Sequence, residues 1–362
     1  MSGWLKTPIC DLLGSRYPIV QTAMGWVATP ELVAGSCNAG AFGFLAAGVM
    51  TPAEVGPAID RIRALTDQPF GVNFHMFQPG AAEIVEILIA KKVAAVSFGR
   101  GPDKTMIKRF RDSGIICMPT VGAVKHAQKM VEIGVDAVVV QGGEGGGHTG
   151  SVSSTVLLPQ VLDAVQVPVL AAGGYGDGRG LAAALAYGAQ GIAMGTRFLM
   201  TRDCPVPEVI KQRYVKARVE DILVSTKVDG LPQRMIRNKL LDKIEASTGT
   251  AVWRRAVESG LQMKRQTGAS FAQLLNAARG MTSHGGLTLP QAMMAAAAPM
   301  MIQKAVVEGD PDNGLMATGQ VAGRLTDLPS CEELVARIVA EAEARLEALA
   351  RLTSQASQSR AG

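Results

Sequence analysis

The decapeptide Gln141-Gly142-Gly143-Glu144-Gly145-Gly146-Gly147-His148-Thr149-Gly150 sets one histidine inside a loop with six glycines in ten positions. Such a loop costs conformational entropy, and a sequence bears that cost where backbone must approach a ligand closely or take positive φ. A flat cofactor is the natural occupant. His148 beside it could remove a proton from a substrate carbon or return one, since imidazole exchanges protons near neutral pH. Two more turns fit the same picture. Ala171-Ala172-Gly173-Gly174, followed by Asp177-Gly178-Arg179-Gly180, and Met194-Gly195-Thr196-Arg197 leave backbone amides available to cradle a phosphate. Gly173, Gly174, Gly195 and Thr196 are the expected phosphate ligands.

Other residues could complete such a site. Gln21-Thr22-Ala23-Met24-Gly25-Trp26 places small residues and a methionine, at Ala23, Met24 and Gly25, where a ring system would lie. Asn73 offers one acceptor and two donors, suited to the edge of a flavin pyrimidine. Thr120 and Lys125 follow one another after an apolar run, and Lys125 could face the flavin ring edge or the phosphate. His75 is the second candidate for proton transfer. His126 and His284 fall in sequence that reads as helical.

Short apolar, β-branched runs must position these loops. They are Pro18–Gln21, Phe42–Leu45, Phe70–Asn73, Val93–Val96, Ile115–Met118, Ala137–Val140, Val167–Leu170 and Gly191–Met194. Continuously apolar strands belong to a parallel sheet covered by helices, and their spacing of roughly 21 to 31 residues is one β-loop-α-loop unit. Eight such units predict an α/β fold, a TIM (β/α)8 barrel with its site at the C-terminal strand ends. An open doubly wound sheet more often stops at five or six strands. Thr29-Pro30-Glu31 and Thr51-Pro52-Ala53-Glu54 mark helix starts, with Thr at the N-cap and Pro at N1.

After Met200 the rhythm stops. Residues 205–310 read as a mainly helical, basic, Met-rich region covering substrate, and 1–204 with 311–362 read as the barrel. Met293, Met294, Met300 and Met301 are expected to pack a core, with an acyl-chain lining as the alternative. Residues 331–352 have an amphipathic helical pattern, and the tail after Thr353 is expected to be disordered.

Composition limits the function classes. Nearly half of the 362 residues are apolar and 4% are aromatic, which excludes a fibrous or disordered chain. The first residues show no secretory leader, and Gly, Pro or a charge interrupts every apolar run before it reaches spanning length. A cytoplasmic protein without membrane attachment is expected. Cys10, Cys37, Cys117, Cys204 and Cys331 include no C-x-x-C pair, so disulfides and zinc are not signalled, and no metal is expected. Between Thr201 and Arg265, fourteen Lys or Arg stand against eight Asp or Glu, an excess of six that accounts for the net charge of +5. This segment is either a handle for a polyanionic substrate or a solvated basic surface. Nucleic acid is not expected as a partner, because aromatic interleaving is missing.

In order along nearly the whole chain, several motifs resemble the nitronate monooxygenase (2-nitropropane dioxygenase-like) family of FMN barrels. They are the Gln141–Gly150 loop, Ala172-Gly173-Gly174 with Asp177-Gly178-Arg179-Gly180, Met194-Gly195-Thr196-Arg197-Phe198, and Gly319-Gln320-Val321-Ala322-Gly323. Val20–Ala28 and Val228-Asp229-Gly230-Leu231-Pro232 make the chain most similar to an actinobacterial branch proposed for acyl-CoA intermediates of steroid C/D-ring breakdown. The resemblance implies bound FMN, with His148 as the proton-handling histidine and Gly173, Gly174 and Gly195 at the FMN phosphate. It extends the cofactor contacts to Gln141, Gly146, Gly147, Gly150, Ala172 and Gln320. An acyl-CoA reductase or dehydrogenase using NADH or NADPH is the leading expectation, with Arg234, Arg237, Lys239 and Lys243 meeting the CoA phosphates. The alternatives are a nitronate monooxygenase using O2, an NADH:quinone reductase and a non-catalytic flavin-binding protein. A homodimer is one assembly open to it. The family shares one cofactor cradle across several substrates, so the fold does not select among them.

Overall fold

The computed structural model describes residues 5–76, 78–99, 103–247 and 289–361. Its strands are β1 (Ile19–Gln21), β2 (Phe42–Ala46), β3 (Gly71–Asn73), β4 (Ala95–Ser97), β5 (Ile116–Cys117), β6 (Thr120–Val121), β7 (Val138–Gln141), β8 (Gly147–His148), β9 (Val169–Ala172), β10 (Ile192–Met194), β11 (Ile222–Ser225) and β12 (Gln233–Ile236). The chain divides into two compact units. One comprises Met1–Gly145, Gly150–Pro205 and Leu325–Gly362; the other comprises Gly146–Thr149 and Val206–Arg324.

In the first unit, every one of the eight apolar runs supplies a strand to one sheet, ordered β5-β4-β3-β2-β1-β10-β9-β7-β6. Its two end members are successive pieces of a single segment, broken at Met118 and Pro119. β5 pairs in parallel with β4, and β6 pairs in parallel with β7, so this segment closes the sheet on itself. Pro119 has no N–H to give a ladder, yet its carbonyl accepts from Val139 N–H (2.8 Å) while Met118 N–H donates to Val96 (2.9 Å). The fold is a (β/α)8 barrel whose fifth strand is in two pieces.

The barrel interior is filled by Val20, Phe42, Phe44, Met118, Val139 and Leu170, joined by Ile9 and Leu13 of the helix Pro8–Leu13. Burying each such side chain contributes about 1.5–3 kcal/mol. The helices Pro30–Asn38 and Pro52–Leu65 start where the Thr-Pro pairs predict. Thr51 N–H donates to Glu54 (2.7 Å), as in a capping box, whereas Thr29 makes no side-chain bond to its helix. The C-terminal helix runs over Cys331–Ala361, so the tail after Thr353 continues it, correcting the expected disorder. That helix packs on Gly178–Tyr187, where a Cβ on Gly178 would come 2.4 Å from the Ile338 carbonyl oxygen. All five cysteines are buried, and none forms a disulfide. Burial pushes the Cys37 thiol up to about 11 and the Cys117 thiol to about 12, as inert packing residues require.

The second unit is not simply helical. β11, β12 and β8 form a three-stranded antiparallel sheet, with Ile222 opposite Ile236 and Gln233 opposite His148. The Ile-Leu-Val-Ser and Gln-Arg-Met-Ile runs are short, the first with Val224 exposed and the second carrying Gln233 and Arg234, so they lack the continuously apolar signature of the barrel strands. Helices Glu208–Lys216, Lys239–Glu245 and Leu289–Val306 accompany the sheet. Its core holds Val228, Met235, Leu241, Ile244, Ala298 and Leu315, with Met301 against it; Met300 is half-buried. The side chains of Met293 and Met294, and all of His284, lie outside the described residues. Residues 311–324 group with this unit, Thr318 N–H donating to the Arg234 carbonyl (3.1 Å). Among the described residues, no helix is long and apolar enough to cross a membrane.

Candidate active site

The barrel unit presents the glycine turns at the ends of β9 and β10. Gly173 and Gly174 take φ of +95° and +83°, a region side-chain-bearing residues rarely enter. The Gly173 carbonyl lies 3.1 Å from Ser154 Oγ, while the amides of Gly173, Gly174 and Gly195 meet no protein acceptor among the described residues. At Gly195 an added Cβ would come 3.0 Å from Thr22 Oγ1 and 3.2 Å from Met24 Sδ, so the β1 and β10 loops converge there. Unsatisfied amides on glycines with no side chain are what an oxyanion or phosphate needs. The adjoining helix Gly178–Tyr187 offers less, because Asp177 Oδ1 accepts from Gly180 N–H (3.1 Å) and Glu341 Oε2 from Gly178 N–H (2.8 Å).

The start of the Gly-rich loop is clasped to this turn. Glu144, which its sequence setting did not single out, accepts from Ser154 N–H (3.1 and 3.0 Å) and Ser154 Oγ–H (2.8 Å). A Cβ on Gly142 would lie 2.1 Å from Ser154 Oγ, and one on Gly145 2.5 Å from the Gln141 amide, so both glycines are demanded by close approach. Gln141 ends β7 opposite Ala172 of β9. Asn73 Nδ2 donates to the Ser97 carbonyl (3.0 Å), which uses one of its donors. His75 follows and packs on Gly48, whose Cβ would meet His75 Cδ2 at 2.8 Å. Thr120 is half-buried in β6, whereas Lys125 is exposed in the helix Val124–Glu132. Ala23, Met24, Gly25 and Trp26 follow β1, and Trp26 holds φ of +60°, a strained conformation costing on the order of 1–3 kcal/mol that nothing in the sequence announces. Thr196 is buried at the start of the short helix Thr196–Leu199, and Gly150 is exposed. Arg197 faces inward instead of toward a ligand, bonding Asp327 Oδ1 (2.9 Å) and the Met200 carbonyl (3.0 Å).

The second unit carries Gly146, Gly147 and His148, together with Gln320, Arg234, Arg237 and Lys239. Gly146 lies against the Thr318-Gly319 backbone that leads into Gln320, its Cβ position 2.5 Å from the Gly319 nitrogen. Gly147 takes φ of +63° and pairs with Arg234. The His148 ring is 59% exposed, and its Nε2 lies 2.7 Å from Oδ2 of Asp229, which is only 9% exposed. Gln233 Nε2 donates to the same Oδ2, and Leu231 N–H to Oδ1 (3.1 Å). Burial raises the Asp229 carboxyl, but the bond and charge of His148 with the Leu231 and Gln233 donors outweigh it and hold the group below its ordinary value. Arg237 pairs with Asp242 (2.6 Å) and Lys239 with Asp312 (2.7 Å), both on the surface. Such exposed pairs are worth about 0–1 kcal/mol. Among the described residues, no cluster of three metal-ligating side chains occurs.

A closed parallel barrel with glycine turns at the ends of its last two strands places the chain among α/β-barrel proteins, a fold whose active sites lie at the C-terminal strand ends. Comparison with known proteins makes this specific. The family model described as nitronate monooxygenase matches residues 6–341. The chain is 45% identical over 348 residues to a (3aS,4S,5R,7aS)-5-hydroxy-7a-methyl-1-oxo-octahydro-1H-indene-4-carboxyl-CoA dehydrogenase of Rhodococcus jostii, covering 96% of this chain and 99% of that one. The protein of the same description from Mycobacterium tuberculosis is 44% identical, with 95% and 98% covered. Among solved structures, FabK from Thermotoga maritima superposes with a TM-score of 0.77 at 32% identity, covering 96% of this chain and 99% of that one. The chain belongs to the nitronate monooxygenase family and is a flavin-dependent oxidoreductase.

Proposed function

We propose that this protein binds FMN and oxidises or reduces an acyl-CoA thioester, with NADH or NADPH exchanging electrons with the flavin and His148 transferring the substrate proton. The observation that carries the substrate class is full-length likeness to a dehydrogenase of a carboxyl-CoA, 45% identical over 96% of this chain. The residues present fit the cofactor: the amides of Gly173, Gly174 and Gly195 would hold its phosphate, and the small Ala23 and Gly25 beside the apolar Met24 would bed its ring. Bound flavin would supply hydride transfer. His148 would take the proton α to the thioester carbonyl, or return it in the reverse direction. Arg234, Arg237 and Lys239 supply cations for the CoA phosphates, the latter two by giving up their surface carboxylates.

The family model favours a second reading, oxidation of an alkyl nitronate, in which the same histidine would take the α-proton of the neutral nitroalkane to form the nitronate that the flavin then oxidises. Anaerobic mixing of the flavin-loaded protein with NADH, NADPH, an alkyl nitronate and a saturated acyl-CoA in turn separates them. Bleaching by a nicotinamide nucleotide or by the thioester, and not by nitronate, is expected. Bleaching by nitronate alone overturns the proposal in favour of the second reading.

A further inference from the structure

The pairing of β8 with β12 brings His148 opposite Gln233, and the turn 226–232 brings Asp229 beneath both. We infer that Asp229, assisted by Gln233, is a positioning residue that keeps the His148 proton on Nε2, so that Nδ1 is the atom that exchanges a proton with substrate. The inference rests on reading His148 as the proton-transfer residue.

The argument is one of donors and acceptors. Asp229 Oδ1 takes the Leu231 N–H (3.1 Å), and Oδ2 takes His148 Nε2 (2.7 Å) together with the Gln233 amide. An ionised carboxylate only accepts, so a neutral ring bonded to Oδ2 must carry its hydrogen on Nε2. The lone pair is then on Nδ1, the basic atom. The 3.2 Å separation of Gln233 Nε2 from His148 Nε2 follows because both donors converge on one oxygen. When the ring gains a second proton, the same carboxylate stabilises the imidazolium at short range, as the buried acid does in a Ser-His-Asp triad. Asp229 is nearly buried while the ring is largely exposed, so the carboxylate is held in place and the imidazole is presented outward. A purely structural Asp229 would shape the turn through Leu231 and Gly230, which takes φ of +84°, and would be indifferent to the ring's tautomer.

Asp229→Asn discriminates sharply. The Leu231 N–H still needs an acceptor, so the amide oxygen stays at the Oδ1 position and the NH2 takes the place of Oδ2. A donor there requires a lone pair on Nε2, and the proton moves to Nδ1. The full-length, flavin-loaded protein is labelled with 15N-histidine, and long-range 1H–15N spectra are recorded at a pH where imidazoles are neutral. The chain has four histidines, and His148→Gln identifies the relevant signals. The wild type is expected to show a protonated Nε2 and a bare Nδ1, and Asp229→Asn the reverse. With an accepted CoA thioester, kcat should fall about 10²–10⁴-fold while KM and flavin content stay unchanged. A wild-type His148 protonated on Nδ1 overturns the inference whether or not the variant folds. So does an Asp229→Asn protein that keeps the wild-type tautomer. Inversion of the tautomer with unchanged turnover upholds the hydrogen-bond assignment, and sinks the reading of His148 as the proton-transfer residue instead.

Discussion

Replacing His148 with Asn removes the proposed proton carrier and leaves the glycine cradle of the barrel unit untouched. Hydride transfer from a nicotinamide to flavin needs no proton from this side chain, so flavin content and reduction by NADH should persist in His148→Asn. Turnover of the organic substrate, followed by stopped-flow absorbance, should drop by about 10²–10⁴. Wild-type turnover in that variant would make His148 a loop residue and promote His75. Asp229 adds a pH signature at the same scale. Its folded-state pKa is depressed, so its stabilisation is present above the unfolded value and is lost as pH falls through the folded one. The gap in urea stability between wild type and Asp229→Asn should therefore be widest near neutrality and close in acid below the ordinary value of 3.8. A gap constant into acid would mean that the native carboxyl is not ionised.

Between elements, close approach of backbones makes the strongest demands. Gly178 has the C-terminal helix on it, with the Ile338 carbonyl 2.4 Å and the Ala342 nitrogen 2.5 Å from the position of a Cβ. Gly178→Val forces backbone apart, costing about 1–3 kcal/mol as overpacking does, and calorimetry should register a Tm lower by several degrees. An unchanged Tm would show that the two helices separate without cost. Such contacts explain what the sequence made legible. The eight barrel strands stood out because strands buried on both faces are continuously apolar, and the break at Pro119 shifted none of them. β11 and β12 did not, since both are four residues long, Val224 of β11 is exposed, and Gln233 and Arg234 interrupt the apolar pattern of β12. β8 is a Gly-His pair that no propensity marks, and it becomes a strand only through its partner. The same holds for the site. The glycine turns were legible by type and position, whereas the roles of Glu144 and Asp229 depend on partners 10 and 81 residues away in sequence.

For the whole molecule, cofactor binding and folding are one linked equilibrium. A ligand that binds only the native state at about 100 times its Kd adds about 2.7 kcal/mol of stability. Among the described residues the barrel offers a cluster of unsatisfied glycine amides at Gly173, Gly174 and Gly195, and the sequence has no second Gly-rich fingerprint for an adenosine half. The phosphate of FMN should thus carry much of the affinity, which riboflavin, having the same ring and no phosphate, tests directly. In thermal melts of the deflavinated protein at equal ligand concentration, FMN should raise Tm by several degrees and riboflavin by clearly less, and mass spectrometry of cofactor released from the purified protein should find FMN and not FAD. Gly174→Val enters the same comparison, because φ of +83° is strained for a β-branched residue and the turn must rearrange. Its apoprotein should remain folded by circular dichroism, while the advantage of FMN over riboflavin disappears. Equal stabilisation of the wild type by riboflavin and FMN would remove the phosphate from these glycines, whatever the substrate proves to be.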